Sequence, residues 1–308
     1  MRDSTKAIAA ILLACTIWGL SPLYYKALAH VPPLELLSHR TIWSLVLFGC
    51  LLVIQRRLPD LSRLLKDPRG CLLVLLSSLM ISANWGGFII SIQIGKVVEA
   101  SLGYYIFPLV TVLLARLVYG EVLGRGKSIA VALAALAVVI LTYGLGVPPW
   151  ISLFLASTFA LYGVIKKSLV AGPVVSVTGE VLLLAPLAVI WLWGVHMQGW
   201  TGLFDRHLAT FGHNLFDSLM LIGSGALTAG PLVLFSYASK QLPLSTVGVV
   251  QYLNPSLQFL CAAVIFAEPV TIWHAIALPL IWAALVIYSL VAFRQDRVAK
   301  RARSRVAI

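Results

Sequence analysis

From end to end the chain alternates between runs of about 20 mostly apolar residues and short polar breaks, and that run length is what a helix needs to cross the hydrocarbon core of a bilayer. The runs predict an all-α membrane protein of ten transmembrane helices. The first half holds Ala7 to Leu28, Leu34 to Ile54, Cys71 to Ile94, Ala100 to Leu117 and Ile129 to Tyr143. The second holds Trp150 to Ile165, Val174 to Val195, Leu215 to Ser239, Leu244 to Ala267 and Ile272 to Phe293. Arg2 and Lys6 ahead of an apolar stretch, with Ala27-Leu28-Ala29 after it, mimic a signal peptide; the stretch is too long for one, so a retained first span is expected.

Charge supports the same count. With 60% hydrophobic and 11% charged residues, a soluble domain would lack polar surface, so the bilayer is the expected partner. The net charge of +12 does not point to nucleic acid, because the basic residues sit between apolar runs and not along one face. If both termini are cytoplasmic, only Lys26, Lys96 and Arg206 of the 23 Lys and Arg face outward, while Arg40 lies within a helix. The four cysteines, Cys15, Cys50, Cys71 and Cys261, fall inside apolar runs and read as packing residues.

An internal repeat divides the chain. A shift of 147 lays Tyr105-Ile106-Phe107-Pro108 over Tyr252-Leu253-Asn254-Pro255 and Glu121 over Glu268; a shift of 144 lays Trp18-Gly19 over Tyr162-Gly163. The expected units are residues 1–146, residues 147–293 and a basic cytoplasmic tail, 294–308. Five crossings per half is an odd number, so the halves enter the membrane from opposite sides and form two inverted five-helix repeats around a central cavity. Such a pair can open to either side in turn, the arrangement of many secondary carriers.

Several residues carry chemistry that is costly in lipid. Arg40 lies about 9 Å inside the second span. A mid-helix Arg costs about 2.5 to 3.5 kcal/mol, so a cavity-facing place that receives a solute's negative group is expected, against an outward-snorkelling or structural Arg. Glu35 and His39 share a helix face, which turns Arg40 away from both. Glu180, in the seventh span, is the symmetry counterpart of the Arg40 region and a candidate for a proton or another coupling ion; a fixed ion-pair role fits it equally well. Arg40 and Glu180 could nearly meet, or a solute could bridge them.

Trp18, Trp85, Tyr105 and Tyr252 are candidate pocket rings, with Lys26, Asn84, Gln251 and Asn254 as polar candidates; packing or interfacial anchoring is the alternative for each. Pro108 and Pro255 are candidate hinges, since each removes a backbone donor within a span. The loop with His196, His207 and His213 is too loosely spaced for a metal, and neither metal nor cofactor is expected.

At Trp18-Gly19-Leu20-Ser21-Pro22 with Lys26, at Glu35 through Ser44, at Glu99 through Tyr104, and through Asn84-Trp85, Tyr162-Gly163, Leu244-Ser245-Thr246 with Gly248, and Gln251-Tyr252, the chain resembles the RarD proteins of the EamA branch of the drug/metabolite transporters. The resemblance covers nearly the whole chain. It implies ten helices, an inverted repeat, a central cavity and the bacterial inner membrane, and it identifies no solute. Phe107 departs from it, standing where Asn is expected before the proline.

The expected function is a secondary transporter of a small amphipathic metabolite or drug-like solute such as an amino acid, working by alternating access and exporting, the direction resting on family analogy alone. A channel or a non-transporting sensor is the alternative. An intramembrane enzyme is disfavoured: Gly19-Leu20-Ser21-Pro22 resembles a serine-protease motif but ends in proline, and neither a His-Glu-x-x-His nor a phosphate loop is present.

Overall fold

The computed structural model describes residues 2–120, 124–200, 209–242 and 244–306, and every regular element in them is helical. In order they are α1 (Arg2–Ala27), α2 (Pro33–Ile54), α3 (Leu58–Lys66), α4 (Pro68–Gln93), α5 (Val97–Tyr119), α6 (Arg125–Leu145), α7 (Trp150–Lys167), α8 (Pro173–Gln198), α9 (Leu215–Gln241), α10 (Leu244–Val250), α11 (Leu253–Leu260) and α12 (Ile272–Val306). Eight of them, α1, α2, α4, α5, α6, α8, α9 and α12, are long and apolar enough to cross a membrane. Their outer faces carry exposed Leu13, Ile54, Leu72, Val139, Leu187 and Val286, as lipid-facing helices do.

The starts and stops follow local chemistry. Pro33, Pro68 and Pro173 open α2, α4 and α8, where a missing N–H costs nothing. The Asp67 carboxylate accepts from the Gly70 N–H at 2.8 Å and the Asn214 side chain from the Phe216 N–H at 2.9 Å, capping α4 and α9. Gly120 and Gly146 end α5 and α6 at φ 64° and 72°, in the left-handed region open to glycine.

Three elements differ from the sequence reading. The break after α2 holds a helix of its own, α3, which lays Leu61, Leu64 and Leu65 on Leu52 and Val175 and leaves Arg63 and Lys66 exposed. The stretch expected as one ninth span is divided. Pro255 cannot donate to the Gln251 carbonyl, which takes the Asn254 N–H at 3.1 Å instead, so the chain turns at Gln251 and Tyr252 between α10 and α11. A π-helical turn, Cys261–Ile265, follows α11 and ends near Ala267 at φ 52°. Finally, the basic tail continues α12 as helix to Val306.

The main packed pairs are α5 with α7, α6 with α12, α2 with α8, and α1 and α2 with α9, with α4 on α7 and α1 on α11. Small residues permit the closest of these. A Cβ on Gly103 would meet the Ser152 carbonyl of α7 at 2.8 Å, and one on Gly225 would meet the Ser44 nitrogen of α2 at 2.8 Å.

Candidate functional site

Arg40 is the eighth residue of α2 and is 6% exposed. Its Nη1 donates to the Tyr25 hydroxyl of α1 at 2.5 Å and its Nε to Thr228 Oγ1 of α9 at 2.9 Å. The guanidinium lies 4.2 Å from the centre of the Trp85 ring of α4 and 5.7 Å from that of Tyr25. Among the described residues no carboxylate stands within ion-pair distance of it. Among the described residues, a full positive charge is thus held at depth by neutral hydroxyls and π faces.

Glu180 is the eighth residue of α8 and is 1% exposed. It has its own counterion, Lys166 of α7, at 2.6 Å, and also accepts from Ser77 Oγ of α4 at 2.9 Å and the Tyr162 hydroxyl at 3.3 Å. Lys166 Nζ donates further to Ser176 Oγ at 2.5 Å. Arg40 and Glu180 thus stand in two centres with separate protein partners among the described residues. Lys166, near the end of α7, belongs to the second one.

Aromatic rings join these centres. Tyr25 meets Phe88 edge-on at 6.1 Å, Phe88 meets Tyr104 at 5.6 Å, Tyr104 meets Phe159 at 5.9 Å, and Phe159 stacks on Tyr162 at 6.0 Å. Asn84 sits beside this row: its Nδ2 donates to the Leu155 carbonyl at 3.0 Å and Thr158 Oγ1 at 3.1 Å, and its Oδ1 accepts from the Tyr104 hydroxyl at 2.9 Å. That bonding clamps α4, α5 and α7 together. The wall between the charged centres is consequently built, not loosely packed.

The remaining candidates lie elsewhere. Glu35 is fully buried and accepts from the Thr210 and Phe211 N–H groups at 2.8 and 3.1 Å, while His39 stacks on Phe211 at 4.6 Å. Lys26 is exposed, with its ammonium 5.5 Å from the Phe266 ring. Trp18 touches Phe235 at 6.0 Å, and Tyr105 shares a 2.7 Å hydrogen bond with Ser256. Asn254 Oδ1 accepts from Gln258 Nε2 at 2.9 Å, close to Gly19 on α1. Gln251 and Tyr252 form the turn before α11.

The two prolines behave differently. Pro108 lies inside an unbroken α5, whereas Pro255 follows the divide between α10 and α11. Glu268 accepts from the Val97 and Val98 N–H groups at 2.9 and 2.8 Å, capping α5 from across the bundle; its repeat partner Glu121 lies outside the described residues, as do Arg206 and His207.

Residues 5–143 match the EamA-like transporter family. An uncharacterized transporter of Vibrio cholerae is 39% identical over 303 residues, covering 98% of this chain and 98% of its own. Protein RarD of Streptomyces exfoliatus is 40% identical over 291 residues, 94% of this chain and 89% of its own. The chain belongs to the RarD proteins of the EamA-like transporter family. With its eight long apolar helices, the chain is an integral membrane protein. A crystal structure 19% identical to it shares the fold, with a TM-score of 0.61 over 94% of this chain and 98% of the other.

The sequence reading missed Thr228, Ser77 and Ser176, small hydroxyls that are common packing residues in apolar helices. One signal was available. Tyr162 with Lys166, and Ser176 with Glu180, are each four apart and so share a helix face.

Proposed function

We propose that this chain is a secondary transporter that moves a small amphipathic metabolite bearing an anionic group, with Arg40 as the seat for that group and Trp85 and Tyr25 as its apolar flank. The observation that carries this reading is the buried guanidinium bonded, among the described residues, to Tyr25 and Thr228 and to no carboxylate. A desolvated cation with no carboxylate beside it among the described residues is stabilised by an incoming anion, and bidentate geometry suits a carboxylate. Export from the bacterial cytoplasm is the direction inferred from the family.

The reading includes ten crossings, with α7 and the divided α10–α11 stretch completing the eight long helices, in two inverted repeats, residues 1–146 and 147–293. Reciprocal bonding supports this. Arg40 takes a hydroxyl from α9 and a tyrosine from α1, and Glu180 takes a hydroxyl from α4 and a tyrosine from α7, which is the pattern an inverted repeat produces. Both termini then lie in the cytoplasm, and reporter fusions at the two ends of the chain must agree.

The deciding experiment starts from a metabolite comparison between cells with and without the gene, followed by flux of the best candidate in liposomes. Saturable flux with counterflow, lost in Arg40→Ala and strongly reduced in Arg40→Lys at normal abundance, is expected. Undiminished flux in both variants rejects the assignment of Arg40, and flux without saturation makes the protein a pore.

A further inference from the structure

Four buried side-chain polar atoms on α2 have no hydrogen-bond partner among the described residues, and two of them, Glu35 Oε2 and His39 Nε2, belong to titratable side chains one helical turn apart. Glu35 is 0% and His39 5% exposed, and Glu35 Oε1 lies 4.0 Å from His39 Nε2. Both side chains also hold residues 209–214, the segment leading into α9. Glu35 Oε1 accepts the Thr210 and Phe211 N–H groups, and the His39 ring lies flat on Phe211 at an interplanar angle of 27°.

We infer that Glu35 and His39 together bind one proton, and that this proton fastens residues 209–214 over the start of α2. With no added proton the pair is a carboxylate beside a neutral imidazole, a net negative charge sealed from water and leaving both orphan atoms unmet. One proton makes the pair neutral overall, so that seating the segment no longer seals a net charge away from water. A second proton would leave the pair net positive, so burial selects the singly protonated state. When the segment lifts, water solvates the carboxylate and the proton is released to it. Proton binding and seating of the segment therefore favour each other, by the reciprocity that links any two such equilibria.

His196, at the end of α8, acts on both groups only through its charge, and its ring bonds the Leu192 carbonyl; His213, in the segment itself, is exposed. Asp217 at the start of α9 is engaged by His30 at 3.1 Å. Arg40 is next to His39 in sequence but turned about 100° around α2 and committed to Tyr25 and Thr228. Asp205, Arg206 and His207 lie outside the described residues.

As a coupling site this pair rests on the transporter reading above; as a proton site it does not, and the test reads no solute flux. The full chain in nanodiscs is followed by hydrogen exchange at the Thr210 and Phe211 amides, corrected for intrinsic pH dependence, and by the infrared stretch of a protonated carboxyl. In the wild type, protection falls as pH rises and the carboxyl band fades over the same range. Glu35→Gln, which keeps a neutral acceptor, holds its protection across the range and lacks the band. His39→Phe, which keeps the stack on Phe211, moves the band and the exchange transition together. The proposal is overturned by a carboxyl band that persists in Glu35→Gln, by wild-type protection that is flat while the band titrates, or by the same pH response in Glu35→Gln as in the wild type. A chain that shows the response but moves no solute keeps the proton site and loses the transport reading.

Discussion

Lys166 Nζ and Glu180 Oε1 stand 2.6 Å apart, so the deep carboxylate of α8 is neutralised by α7, whereas the deep guanidinium of α2 has no carboxylate beside it among the described residues. The asymmetry predicts different outcomes for the two centres. Removing Lys166 as Lys166→Ala leaves Glu180 buried without its counterion and is expected to cost about 3 to 5 kcal/mol. Replacing both members, as Lys166→Met with Glu180→Leu, recovers most of that loss. A double-mutant cycle on thermal unfolding in detergent measures the coupling, and additive single losses would show that the pair contributes no mutual stabilisation.

Trp85 offers its face to Arg40 at 4.2 Å, which is closer than the ring of Tyr25. Trp85→Leu keeps apolar volume and removes the π face, so it is expected to weaken solute affinity several-fold, consistent with about 0.5 to 2 kcal/mol for a cation over a ring. Solute titration of flux reads this as a raised half-saturation concentration with abundance unchanged.

Glu268 caps α5 with two carboxylate oxygens on two successive N–H groups. Loss of these charge-assisted bonds in Glu268→Ala should destabilise the protein by about 2 kcal/mol, with Glu268→Gln losing less because its amide oxygen still accepts one of them. Melting temperatures of the two variants must fall in that order.

At Gly103 any side chain beginning with Cβ would press on the Ser152 carbonyl. Gly103→Val is expected to force α5 and α7 apart at a cost of about 1 to 3 kcal/mol, and to lower the yield of folded protein. A normal melting temperature in this variant would mean that the helices can separate without penalty.

At the divide before α11, Pro255→Ala restores a donor for the Gln251 carbonyl. The variant should lengthen the helix and raise stability while slowing flux if the break takes part in the working cycle. Pro108→Ala, inside a continuous helix, should change flux little.

Much of this was legible from the amino acids. The long apolar runs fixed eight spans to within a few residues, because lipid admits a helix wherever the backbone has no other hydrogen-bond partner. Arg40 stood out because a charge in an apolar run is costly and needs a reason. The identity of its partners did not, since Tyr25 and Thr228 come from helices 15 and 188 residues away in the chain, and neither residue type is unusual in a membrane helix. Glu35 and His39 were read together from their spacing, but not the segment they hold. The divide at Pro255 was expected only as a hinge, since proline removes one donor in either case and the surrounding packing decides whether the helix bends or parts.

The sequence by itself determined that the chain lives in a bilayer as packed helices and that it carries a rare cation at depth, since both follow from local transfer free energies that each segment meets alone. Only the tertiary structure decided that Glu180 is paired with Lys166 of α7 while Arg40, among the described residues, meets hydroxyls and rings, because pairing depends on which faces of helices pack together, and no local property of a segment specifies that.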